Sequence, residues 1–484
     1  GFPNPGKVCY VQKEFSVGCV LGVLFVVYQK NIYFCNSHYI NNHYKNIFMK
    51  FYDREKEMKL LHSNLEQSKK STCFTVLVGR RRIGKTALLL ESYKKEKYLY
   101  LFVSRKNEAM LCAQFQSDAE KVLGMRIFGT ITQFRDLFEQ LMIYATKEHY
   151  TLIIDEFQEF DKVNASIFSD IQNLWDQYKD EAKINFIACG SIYSIMMKLF
   201  EDKKEPLFGR LTSKIVLQPF SVSVIKEILG DYNPNFTPED LLCLYTLTGG
   251  VAKYITLLME AGGTSVHQML DFVTRPDSPF LGEGKDLLVS EFGKEYGTYF
   301  SILQLIASGK TTQGEIDSII EKNTGAYLVN LEKTFSLITK NKPLFSKPES
   351  RKTRWSLNDN YLSFWFRFIF PNQSLLEMGK YDLLREYISI NYEQYSGLTL
   401  EKYFRDKVAE SERVTHIGKY WDKKGQNEID LIALNKLDKK ALVAEIKRNP
   451  EKINLKILEE KIKTIKKELS IYKIELKGFS MEDM

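Results

Sequence analysis

Cysteine and histidine are scarce in this 484-residue chain. The seven cysteines, Cys9, Cys19, Cys35, Cys73, Cys112, Cys189 and Cys243, form no CxxC pair and leave one over, and the six histidines are scattered. That pattern excludes a structural zinc framework and a disulfide scaffold. We expect a reduced, cytoplasmic protein in which no histidine has a special role. With 27 glycines and 12 prolines the chain has too little of either for a fibrous or low-complexity protein. The charge excess is small, 68 basic against 61 acidic side chains. Any nucleic-acid contact must therefore come from local basic patches. Long apolar runs are missing too: Phe15 to Tyr28 spans fourteen residues, short of the roughly 20 that a membrane-spanning helix needs. We expect no membrane partner. What is present, 44% hydrophobic and 27% charged residues, is globular, and the length points to roughly two to four domains.

Residues 1 to 48 differ from the rest. They hold four lysines against one glutamate, three of the seven cysteines, the Tyr/Asn-rich stretch "NIYFCNSHYINNHYKNIF" and no methionine, Met49 being the first. A lysine precedes the apolar run as in a signal peptide, but no A-x-A-like cleavage site follows. We expect this stretch to be upstream, non-native extension, with the functional protein starting at "MKFYDREKEM" from Met49.

The strongest chemical signal is "VLVGRRRIGKTALLLE". A β-branched and apolar run from Thr72 to Val78 predicts a strand, and helix formers begin at Ala87. Between them Gly79, Arg80, Arg81, Arg82, Ile83, Gly84, Lys85 and Thr86 satisfy GxxxxGK[ST]. In such a loop backbone N–H groups curl around phosphates, the lysine reaches the β and γ phosphates, and the hydroxyl ligates Mg²⁺. Further on, "YTLIIDEFQEF" predicts a strand ending in Asp155 and Glu156. Asp155 is placed to hold Mg²⁺ with Thr86, and Glu156 to polarise the attacking water. A third strand, "INFIACGS", ends at Ser191, either a γ-phosphate sensor or a structural hydroxyl. ATP with Mg²⁺ is the expected ligand.

"FYDREKEMKLL", "GRRRIGKTALL", "YLYLFVSRKNE", "LIIDEFQEF", "ACGSIYSIMMKLF" and "PLFGR", in this order, resemble the archaeal-type ATPases of the P-loop superfamily, relatives of the AAA+ and STAND NTPases. The resemblance covers about 51 to 260. It implies a parallel sheet in which the Ser191 strand separates the Walker A and Walker B strands, followed by a helical lid. "LTGGVAKYI" looks like the lid motif, with Ala252 where proline is usual. Such ATPases often use an arginine against γ-phosphate charge, from the same chain or a neighbouring copy. Arg210 of "PLFGR" is the candidate, and a homo-oligomer would follow from action in trans. The alternative is a surface arginine or one paired with an acid such as Asp202.

The middle reads as two short helices, Tyr299 to Ala307 and Gln313 to Ile320, a third from Ala326 to Thr339, and strands around Lys340 to Leu344 and Thr353 to Leu357. That is winged-helix order, with Tyr327, Asn330 and Lys333 offered to a major groove. "RWSLNDNYLSFWFRFIFPN" reads as packing rather than a base-stacking platform. It also resembles the opening of the C-terminal, DUF234-type module of these ATPases, distantly similar to PD-(D/E)XK nucleases. In the tail, "NEIDLIAL" and "ALVAEIK" flank the polar turn "NKLDKK" and predict a hairpin. If Leu434 pairs with Ala441, Asp430 stands opposite Glu445, and Glu445 and Lys447 share its face. Two carboxylates and a lysine there could bind Mg²⁺ and orient water for phosphodiester hydrolysis. The alternative is a solvated hairpin edge. Glu401 matches the helix acid of the nuclease family and would add a ligand. "EKINLKILEEKIKTIKKEL" reads as an amphipathic helix.

The expected fold is α/β: a P-loop NTPase parallel sheet (49 to 220) with a helical lid (221 to 290), a winged-helix-like middle (291 to 370) and an α/β nuclease-like tail (371 to 484). The expected function is ATP binding and hydrolysis coupled to a nuclease-like, DNA- or RNA-processing tail. The alternative is a nucleotide-dependent switch whose tail binds nucleic acid or protein without cleaving.

Overall fold

The apolar run that is too short to span a membrane is not a helix. In the computed structural model Cys9–Val11, Phe15–Val20, Val23–Tyr28 and Asn31–Phe34 are strands β1 to β4 of an antiparallel meander, with Phe15 opposite Tyr28. Val, Phe and Tyr dominate β2 and β3, as suits a pleated surface. The structure describes these four strands and residues 50–292, 296–347, 349–350, 352–422 and 425–484. The expected start at Met49 lies outside the described residues. Gly1–Phe51 forms one unit and Tyr52–Met484 another.

In the second unit β5 (Cys73–Val78), β6 (Tyr98–Phe102), β7 (Tyr150–Asp155), β8 (Ile184–Gly190) and β9 (Ser213–Val216) form a parallel sheet ordered β6-β7-β8-β5-β9. The Ser191 strand, β8, thus separates the other two motif strands. Strands β5, β7 and β8 are buried along their whole length, because helices cover both faces. Alternation splits each strand between two cores. Phe74, Val76 and Val78 pack with helices Glu108–Leu123, Phe134–Lys147 and Ile167–Tyr178. Leu77, Ile153 and Ile187 pack with Glu55–Ser68 and Lys85–Tyr93. This is the P-loop NTPase sheet.

Helices Val222–Tyr232, Pro238–Thr248, Ala252–Glu260, Val266–Thr274 and Pro279–Phe292 follow. Capping boxes at Thr237 with Asp240 and at Ser265 with Gln268 start two of them. Ala252 is the first helical residue after Val251. That is where proline is tolerated for its fixed φ, so alanine leaves the turn intact. Gly250, at φ 81°, is held so close to the Phe220 carbonyl that a Cβ would sit 2.3 Å from its oxygen.

The middle has helices Tyr296–Ala307, Gln313–Ile320 and Gly325–Lys333 and an antiparallel hairpin, β10 (Ile338–Asn341) and β11 (Arg354–Leu357). The third helix stops at Lys333 rather than Thr339. Thr334 and Ser336 are weak helix formers, Ser336 turns at φ 53°, and Ile338 pairs instead with Leu357. Of the three side chains offered to a groove, Tyr327 stacks edge-on against Tyr299, 5.2 Å between ring centres, and Asn330 donates to the Tyr299 hydroxyl. Lys333 is exposed. The aromatic stretch is interior: Trp365 is buried, donates to the Leu281 carbonyl and packs with Phe300, Phe366 and Phe370.

In the tail the helix Tyr381–Ala409 precedes β12 (His416–Trp421), β13 (Glu428–Asn435), β14 (Lys440–Ile446) and β15 (Lys473–Phe479). β12 to β14 are an antiparallel meander, and β15 joins β14 in parallel. The amphipathic stretch before β15 is broken into Leu455–Ile462, a 3-10 turn Lys463–Ile465 and Lys466–Leu469. Leu458, Ile462, Ile465 and Leu469, at helical one-face spacing, pack on one core with Ile432 and Val443.

Candidate functional site

The phosphate-loop geometry starts at the tip of β5. Arg82 at φ 69° and Gly84 at φ 99° curl the chain, and the helix from Lys85 aims its N-terminus into the turn. The Lys85 ammonium is buried and donates to the carbonyls of Gly79, at 2.8 Å, and Arg80, at 3.1 Å. The Thr86 hydroxyl donates to Asp155 at 2.7 Å. Asp155 is 3% exposed at the end of β7, and the same carboxylate oxygen accepts from the Tyr100 hydroxyl at 2.8 Å. Burial, reinforced by Asp155, pushes the Tyr100 phenol up. Glu156 follows in left-handed conformation at φ 54°. Its carboxylate accepts from Ser191 at 2.7 Å and from Gln158.

Arg81, Arg82, Gly84, Lys85, Thr86, Ala87, Asp155 and Glu156 line one cleft of about 710 Å³, joined by Phe102 at the end of β6, by Val103, Ser104 and Arg105 just after it, and by Ala252, Lys253 and Asp286 from the lid. That is the size of a site for a small organic ligand. Four expected residues have other work. Ile83 is buried in the core and Gly79 lies against Leu217, so they shape the loop. Ser191 does not line the cleft; it holds Glu156. Arg80 turns away and pairs with Asp359. Thr86 with Asp155 suits Mg²⁺, which takes one or two protein ligands and completes its shell with phosphate and water.

Arg210 is engaged within its own chain. Its guanidinium pairs with Asp176 at 2.7 Å, not Asp202, and donates to the carbonyls of Pro206 and Phe208. It lines no part of the cleft. Asp176 lies 34 positions upstream on the helix Ile167–Tyr178, so no local pattern links the two.

The lid grips the loop. Lys253 donates its N–H to the Arg82 carbonyl at 3.1 Å, and the Arg82 side chain meets Glu283 at 2.6 Å. Burial pushes the Glu283 carboxyl up, and Arg82 opposes that. Asp359 meanwhile caps the helix Asn360–Phe364 by accepting from the Leu362 N–H at 2.7 Å.

In the tail Leu434 pairs with Ala441, the register that sets Asp430 opposite Glu445. Asp430 accepts from the Ile446 N–H at 2.9 Å and from the Lys447 ammonium at 3.1 Å. Lys447 lies 3.7 Å from Glu445, and Glu445 also accepts from the Asn454 N–H. Burial lowers the Lys447 ammonium, but Asp430, Glu445 and Glu401 outweigh it and raise it. Glu401, on the long helix, pairs with Lys419 of β12. Burial pushes its carboxyl up, Lys419 opposes, and Asp430 adds to the rise. The structure thus brings Glu401, Asp430, Glu445 and Lys447 together and adds Lys419 and Lys461, the latter 3.8 Å from Glu445. Among the described residues no group of three or more His, Cys, Asp or Glu side chains is close enough to hold a metal. Each of the three acids has a lysine partner.

Sequence reasoning missed Tyr100, Arg105, Asp359 and Lys419. Tyr100 had a signal, a hydroxyl near the end of an apolar strand; the others are paired only by tertiary structure.

Comparison with known proteins agrees with this architecture. Residues 51–258 match the ATPase domain found predominantly in Archaea, and 365–472 match DUF234, a domain of archaeal and bacterial proteins of unknown function. An uncharacterized protein of Methanocaldococcus jannaschii is 31% identical over 407 residues, covering 82% of this chain and 87% of its own. The Walker-type ATPase PABY2304 of Pyrococcus abyssi superposes with a TM-score of 0.51 at 18% identity, over 65% of this chain and 96% of that one. No described helix is long and apolar enough to cross a membrane.

Proposed function

The chain belongs to the archaeal-type P-loop ATPases that carry a DUF234 tail, and from that premise we propose that it binds ATP in the cleft and hydrolyses it there. The observation that carries this reading is the meeting of Lys85, Thr86, Asp155 and Glu156 in one cleft beside a curled loop and a helix N-terminus. Lys85 leaves its two carbonyls for the β and γ phosphates. Thr86 and Asp155 would hold Mg²⁺, which supplies charge neutralisation on the phosphates. Glu156 takes a proton from the attacking water once its carboxylate leaves Ser191 and Gln158. The lid acts on the loop through Arg82 and Lys253.

The test is Lys85→Ala. Losing a charged donor to the phosphates should weaken ATP binding by roughly 10- to 100-fold; titration calorimetry showing unchanged affinity would remove the assignment.

The tail is proposed to process nucleic acid under control of the nucleotide, with Asp430, Glu445, Lys447 and Glu401 as its reacting face. A second reading is a switch whose tail binds nucleic acid or protein without cleaving. The lysine partner on each tail carboxylate favours it.

A further inference from the structure

We propose that Arg105, rather than Arg210, is the arginine that meets the γ-phosphate, and that it does so within its own chain. The inference rests on the ATPase reading and names a further catalytic residue for it. Phe102, the last residue of β6, stands opposite Asp155 in the sheet, and the Val103 N–H donates to the Asp155 carbonyl at 3.0 Å. The chain therefore leaves β6 beside the Thr86–Asp155 pair, and Arg105, three residues on, lines the cleft with Glu156. This is the carboxyl end of the parallel strands, where ligands of open α/β sheets bind.

The other cations of the cleft are tied to the loop or the lid. Arg82 is held by Glu283 at 2.6 Å and Lys85 by two loop carbonyls; Arg81 belongs to the loop itself, and Lys253 to the lid. Arg105 comes instead from the segment that follows β6. Its ion pair with Glu159 is long, 3.8 Å, and its side chain is 66% exposed. Such a pair is worth little, so the guanidinium is cheaply released to a stronger anion. Arg210 is held by Asp176 and two carbonyls.

In the step itself the oxygen of water bonds to the γ-phosphorus as the bond from that phosphorus to the bridging oxygen breaks. That electron pair goes to the β-phosphate, and one water proton goes to Glu156. Negative charge shifts toward the bridging and γ oxygens, where a planar fork of N–H donors binds best.

The experiment compares the full chain with Arg105→Ala, Arg105→Lys and Arg81→Ala for turnover and for affinity toward ATPγS and ADP. Arg105→Ala should lower turnover by roughly 10³-fold or more, leave ADP affinity unchanged and abolish the preference for ATPγS. Arg105→Lys should restore part of that preference, because it keeps the charge without the fork. Mixing Arg105→Ala with Lys85→Ala protein should restore no activity, since each chain supplies its own arginine. Wild-type turnover in Arg105→Ala, an unchanged ATPγS preference, the same loss falling on Arg81→Ala instead, or rescue on mixing would each overturn the proposal. If the wild type hydrolyses no ATP, the ATPase reading falls. The ATPγS-to-ADP preference then still decides whether Arg105 touches the γ-phosphate. Because Arg105 is exposed, its alanine variant should melt like the wild type, which keeps folding out of the comparison.

Discussion

Glu156 is held by two side-chain donors. Its backbone is left-handed, and Ser191 and Gln158 both donate to one carboxylate oxygen. Under the proposed mechanism that oxygen must leave both donors before it can meet the attacking water. Glu156→Gln keeps the shape and removes the base. We expect ATP binding to stay within a few-fold of wild type and turnover to fall by roughly 10²- to 10⁴-fold, measured by binding titration beside phosphate release. Loss of binding as large as loss of turnover would make Glu156 structural. Both motif acids were legible from the strand that ends in them. Its restraint was not, because Ser191 lies 35 positions away.

Among the elements, the phosphate loop links to two parts of the chain that follow it. Arg82 joins it to the lid helix Pro279–Phe292 through Glu283, and Arg80 to the cap of Asn360–Phe364 through Asp359. Asp359 has two duties that substitution can separate. Asparagine keeps the cap, since it is as good an N-cap as aspartate, but takes the charge from Arg80. We expect Asp359→Asn to cost roughly 1–3 kcal/mol and Asp359→Ala about 1 kcal/mol more for the lost cap, both read from urea unfolding. Equal losses in the two variants would show that the Arg80 link carries no separate stability.

At the scale of the molecule the tail is joined to the ATPase part, not merely strung after it. The helix Tyr381–Ala409 carries Glu401, and the next residue, Lys402, donates to the Asn358 carbonyl at 2.7 Å and to the Asn360 side chain at 2.6 Å. Those two residues flank Asp359. Tyr245 of the lid donates to Asp406, and Arg448 pairs with Glu239. A movement of the phosphate loop therefore has a short polar route to the helix that supplies a tail acid. If the tail cleaves, Asp430→Ala should abolish Mg²⁺-dependent cutting of DNA or RNA while leaving ATP turnover within a few-fold of wild type, scored on gels beside phosphate release. A wild type that cuts neither polymer leaves the binding switch.

The sequence by itself determined what depends on short spacing. The strand–loop–helix around Lys85, the strand ending in Asp155 and the hairpin of "NEIDLIAL" and "ALVAEIK" follow from periods of 2 and 3.6 and from turn residues within a few positions. The Leu434–Ala441 register is by contrast an assumption that the structure bears out. Tertiary structure decided what depends on side chains meeting across the chain. Arg210 goes to Asp176, Arg80 to Asp359, and Lys419 to Glu401. β15 alternates polar and apolar residues from Lys473 to Lys477, but its place beside β14 in parallel is set only by the fold, with most of its side chains exposed. The stretch from 455 to 469 keeps its helical spacing, with Leu458, Ile462, Ile465 and Leu469 on one core, but is interrupted by a 3-10 turn at Lys463–Ile465 that no local residue pattern announces. Local periodicity is written along the chain, whereas the partner of a long charged side chain is chosen by packing that brings distant segments together.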